Sequence, residues 1–148
     1  MEPTEVAKKF FMQARKMTLS LAASVIVYGA VGDYLLRMGK VGPAILSTQM
    51  YPLAKYGALI VSVLGVFMMR RISARITGGL SERRPQKLLL ATMVMCAAAE
   101  LPVLLGMVLM FLGRQVFDYI PFALVALVGF VLAFPKKQQW ASWLGADF

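Results

Sequence analysis

Four apolar runs, at residues 17–36, 53–69, 88–113 and 116–134, limit what this chain can fold into more than any other feature. Each is near the roughly 20 residues that a helix needs to cross a hydrocarbon core about 30 Å thick. Inside lipid every backbone N–H and C=O has to be satisfied within the segment, so single runs of this length are read as helices. Hydrophobic residues make up 59% of the 148 and charged residues only 16%, a balance foreign to a soluble domain of this size. The expected fold is therefore all-α: a polytopic membrane protein with four transmembrane helices, forming a single membrane domain over residues 1–148.

A net charge of +9 would suit nucleic acid if it were spread over a surface, but it is not. Lys8, Lys9, Arg15 and Lys16 precede the first run. Arg70, Arg71, Arg75, Arg83, Arg84 and Lys87 lie between the second and third, and Lys136 and Lys137 follow the fourth. Of the rest, Arg37, Lys40 and Arg114 fall in the other two connections and Lys55 at the outer end of the second run. The positive-inside rule then places both termini and the central loop in the cytoplasm, with the chain in the inner membrane. The basic residues set orientation and meet anionic headgroups, each at about 1 kcal/mol. The expected partner is the bilayer, not nucleic acid.

The chain has no histidine and a single cysteine, Cys96. No internal disulfide or thiolate metal cluster can form, and the commonest metal, haem and proton-relay ligand is missing. No phosphate-binding loop, nucleophile–base pair or cofactor motif is visible, so no cofactor, no metal and no enzymatic activity are expected.

Glu100 stands out against this background, because it lies in the middle of the third run. A charged side chain at mid-bilayer depth costs roughly 2.5–3.5 kcal/mol on insertion scales, which makes it a functional candidate by default. Thr92, Cys96 and Glu100 recur every four residues, on one helical face. Pro102 has no N–H and leaves the carbonyl of Ala98 without its helical donor. A carboxyl beside a freed carbonyl can lodge a proton or a small cation. Equally, a protonated Glu100 could donate to a neighbouring helix and hold the bundle together.

Secondary features fill in the ends. Residues 4–16 read as an amphipathic segment, either lying in the headgroup plane or extending the first span. Ser20, Ser24, Tyr28 and Gly32 form a polar and small stripe suited to helix contact. Asp33 and Arg37 are placed for an i,i+4 ion pair, and Arg114 with Asp118 for another. Lys55 is expected to snorkel at the end of the second span. Gly57, Ser62 and Gly65 offer that span places for close approach. Gly78-Gly79 marks a turn in the central loop. In the tail, residues 135–148, Trp140 and Trp143 suit the membrane interface or a docking surface for another protein.

Residues 53–113 resemble the helical hairpin of the c subunit of rotary ATP synthases. The likeness rests on a first span with small residues, a polar turn Arg84-Pro85-Gln86 and a second span with the central acid in Ala99-Glu100-Leu101-Pro102. The flanking spans lie outside this likeness. The whole chain is similar to small four-span bacterial membrane proteins, sharing an acid-x-Pro-x-x-x-Gly segment at 100–106 and the ending Phe134-Pro135-Lys136 with Trp140 beyond. The resemblance implies a proteolipid-like subunit, in a homo-oligomer or larger membrane complex, with Glu100 as carrier of a proton or sodium ion. The competing expectation is a non-transporting accessory subunit.

Overall fold

A computed structural model of the chain describes residues 3–43, 47, 49–78 and 85–144. Among them the structure is all-helical, with four helices long and apolar enough to cross a membrane. The elements are α1 (Pro3–Arg37), α2 (Met50–Gly78), α3 (Pro85–Gly113), α4 (Tyr119–Ala133) and a short α5 (Lys137–Leu144). One 3-10 turn, Val116–Asp118, leads into α4.

Local chemistry explains where these helices begin and end. Gly39 closes α1 in the left-handed conformation (φ 67°), while Met38 N–H returns to the Tyr34 carbonyl at 3.0 Å. Ser47 caps α2, its hydroxyl and carbonyl accepting the Met50 N–H at 3.4 and 3.1 Å. Pro85 opens α3 at the first helical position, where a missing N–H costs nothing. Pro135 follows α4, and Phe134 before it is extended, as the proline ring requires. The segment 4–16 and the first span form one unbroken helix, so the amphipathic segment is an extension of that span. The second span likewise runs on through Arg70, Arg71 and Arg75 as far as Gly78. Of the expected central turn, residues 79–84 lie outside the described residues.

The helices run alternately up and down. Thr18 meets Cys96 and Gly32 meets Met110, so α1 is parallel to α3. Tyr51 reaches Leu109 and Gly65 lies near Leu101, so α2 is antiparallel to α3. The tightest seam joins α3 to α4. A Cβ on Gly129 would stand 2.8 Å from the Ala99 Cβ, and one on Gly106 would stand 2.7 Å from the Phe122 Cβ. Small residues at such places let backbones approach closely, which is how helices associate where no hydrophobic drive separates them from lipid. Helices α1 and α2 take opposite flanks of the α3–α4 hairpin. Half of the most apolar window of α3 is buried, against 11% for α1 and α2, so the flanking helices turn most of their apolar surface outward.

This arrangement gathers the N-terminus of α1, the C-terminus of α2, the N-terminus of α3 and α5 at one end. That end holds the basic clusters. A second small core sits there: Trp140 is buried and packs edge-on against Phe11, ring centroids 5.5 Å apart, with Ala14 and Leu88 beside it. The Arg15 guanidinium lies over Phe11 and Phe134 at 5.8 and 5.4 Å. Trp140 is thus taken up by its own chain. The side chain of Trp143 lies outside the described residues.

Candidate functional site

Helix α3 carries the candidate site because it touches every other long helix. Thr92 and Cys96 are both buried. The Thr92 hydroxyl donates to its own helix, to the Leu88 carbonyl at 2.9 Å. Cys96 Sγ meets Thr18 Oγ1 of α1 at 3.4 Å. Ala98 is buried, and Pro102 interrupts the helical bonding of its carbonyl.

Glu100 differs from its two companions. It is only partly buried, at the edge between the core and the outer surface. Its carboxyl makes no hydrogen bond or ion pair among the described residues. The expectation that Glu100 donates to a neighbouring helix of its own bundle is not met. The i, i+4, i+8 row rotates gradually about the helix, because 3.6 residues per turn leaves each fourth residue some 40° further round. Thr92 and Cys96 therefore point inward, while Glu100 reaches the rim.

The secondary candidates divide. Asp33 pairs with Arg37 as expected, Oδ1 to Nε at 2.9 Å, at an exposed helix end. Ser24 donates to the Leu21 carbonyl of its own helix at 2.6 Å, and Tyr28 is partly buried beside the core. Of the polar and small stripe on α1 only Gly32 lies on its main contact face, against Met110. That face is Phe11, Ala14, Thr18, Val25 and Gly32, a row with the three-, four- and seven-residue spacing of helix packing. On α2, Ser62 and Gly65 face the bundle, whereas Gly57 faces open space.

One polar cluster escaped the sequence reading. Asp118, buried at the start of α4, accepts hydrogen bonds from the Tyr51 hydroxyl and the Lys55 ammonium. The Tyr51 hydroxyl also lies 3.3 Å from the Leu109 carbonyl, and its ring lies over Gly113, where no side chain stands in the way. Two sequence expectations are corrected here. Asp118 does not pair with Arg114, which is exposed and takes up the left-handed turn (φ 56°) that ends α3. Lys55 does not snorkel outward but turns into the bundle to reach a carboxylate. The signal in the sequence was the Tyr51–Lys55 spacing, which puts a hydroxyl and a cation on one face of α2.

At the end of the molecule opposite the basic clusters, acids thus neutralise Arg37 and Lys55 within the chain, while at mid-height Glu100 has no such partner among the described residues. No group of three or more acidic or cysteine side chains that could hold a metal occurs among the described residues. Comparisons with family models, with curated proteins and with solved structures find no match.

Proposed function

We propose that the chain is an integral-membrane subunit in which Glu100, at a contact with a neighbouring polypeptide, carries a proton or small cation. One observation bears most of the weight: a carboxyl placed halfway along a membrane-length helix, partly buried, with no polar partner among the described residues. In lipid such a group costs several kcal/mol unless something meets it. The group that meets it lies outside the described part of this chain. Pro102 also frees the Ala98 carbonyl, half a turn before Glu100 and on the buried side of α3, so it does not by itself satisfy the carboxyl. Proteolipid subunits of the rotary ATP synthase kind, which residues 53–113 resemble, work through such an acid.

Orientation belongs to the same proposal. With basic residues gathered at one end, the positive-inside rule places that end in the cytoplasm of a bacterial inner membrane, with both termini there. A proton would then reach Glu100 from one side, be held as the neutral acid, and leave to the other when a facing cation or water path opens.

A carbodiimide, which attacks protonated carboxyls shielded from water, tests the carrier role. In membranes it should label Glu100, and sodium or high pH should protect. Glu100→Gln keeps a hydrogen-bonding side chain but has no exchangeable acid proton, so it should leave assembly intact and abolish ion flux. Unchanged flux with normal assembly would remove the carrier role and leave an accessory subunit.

A further inference from the structure

A cavity of about 470 Å³ opens on the side of the bundle at its basic end, between the end of α2, the start of α3 and the α4–α5 corner. We infer that this cavity is a binding site for an anionic phospholipid. The inference stands apart from Glu100 and its proposed role.

The lining has two chemistries, sorted by depth. At the mouth stand Arg70 and Lys136, both exposed, and neither is paired with an acid among the described residues. Ser73 and Gln139 add neutral hydrogen-bonding groups beside them, and no acidic side chain lines the cavity. An arginine and a lysine converging with such donors suit a phosphodiester, which presents a delocalised negative charge on two oxygens. Trp140 closes the wall toward α1, where it is held by Phe11.

Toward the middle of the molecule the lining becomes apolar, with Val131 and Leu132 on the outward face of α4. Further in, the buried side chains of Leu88, Ala91 and Met95 line the cavity. A headgroup therefore fits between the cations, and acyl chains would leave sideways along Val131 and Leu132, over the lipid-facing surface. A free phosphate would fill the mouth and leave those apolar walls bare. The combination of paired cations, neutral donors and an apolar exit selects a phosphate ester with hydrocarbon attached. Such clefts between helices, at the level where apolar helix gives way to basic residues, are where headgroups reside.

Native mass spectrometry of the protein extracted in a neutral detergent, titrated with phosphatidylglycerol, phosphatidylcholine or inorganic phosphate, is the test. The wild-type chain should retain phosphatidylglycerol in preference to phosphatidylcholine, and millimolar phosphate should not displace it. Arg70→Gln with Lys136→Gln should lower phosphatidylglycerol affinity about 30-fold, the effect of two headgroup contacts. Arg71→Gln with Lys137→Gln removes the same charge outside the cavity and should change it less than about threefold. Equal losses in the two double variants, no preference between the lipids, or displacement by phosphate would each overturn the inference.

Discussion

Removing Asp118 should loosen one whole end of the bundle, and the structure indicates by how much. The carboxylate is 7% exposed and accepts two hydrogen bonds from α2, one from the Tyr51 hydroxyl and one from the Lys55 ammonium. Hydrogen bonds to a charged group each contribute about 1.5–3 kcal/mol. Breaking a fully buried pair by deleting one partner costs about 3–5 kcal/mol, because the other charge is stranded. Lys55, however, is 27% exposed, so its ammonium can turn toward water and recover part of its solvation. Asp118→Ala should therefore fall just below that range, about 2–3 kcal/mol less stable. Asp118→Asn still accepts from Tyr51 and should lose roughly half as much. Reversible unfolding in mixed micelles, followed by far-UV circular dichroism as dodecyl sulfate is added, gives these differences. A double-mutant cycle with Lys55→Met should return a coupling of about 1–2 kcal/mol. A loss below about 0.5 kcal/mol for Asp118→Ala, with no coupling to Lys55, would refute the clamp.

Other parts of the packing make equally definite forecasts. Gly129→Ala drives a methyl into Ala99 and should cost about 1–3 kcal/mol in the same assay; adding Ala99→Gly should restore part of it, since the Ala99 Cα would still lie 3.3 Å away. Trp140→Ala should cost about 3 kcal/mol by emptying the Phe11 contact, and in a Trp143→Phe background the emission of Trp140 should shift to the red when Phe11→Ala is introduced. Cys96, 1% exposed and in contact with Thr18, should react with a small maleimide only after dodecyl sulfate unfolding, whereas rapid labelling of the folded chain would place it on the surface.

The spans were legible because length and hydropathy are local properties: a run such as 88–113 has no other structure open to it in lipid. Ends were less legible. Arg70, Arg71 and Arg75 mark the edge of the apolar stretch, yet arginine is a good helix former, and α2 continues until Gly78. Hydropathy reads the membrane boundary and says nothing of where backbone bonding stops. The Asp33–Arg37 pair could be read because its partners are one turn apart. The Tyr51–Lys55–Asp118 cluster could not, since its members join only when α2 folds against the α3–α4 hairpin. Arg114 was the nearest cation in sequence, and the left-handed turn at that residue is what leaves Asp118 to α2. At the candidate site the face shared by Thr92 and Cys96 was visible from spacing. That Glu100 ends on the rim depends on which flank α1 takes beside α3, a long-range choice made by Gly32, Thr18 and Val25.

Photo-crosslinking from position 100 in native membranes probes the central claim most directly. With Glu100→benzoyl-phenylalanine, illumination should join the chain to a second polypeptide, giving a product of discrete higher mass, while the same photoreactive group at Leu53, exposed on α2, should mark lipid. Adducts from position 100 confined to lipid, or to residues of the same chain, would contradict the account.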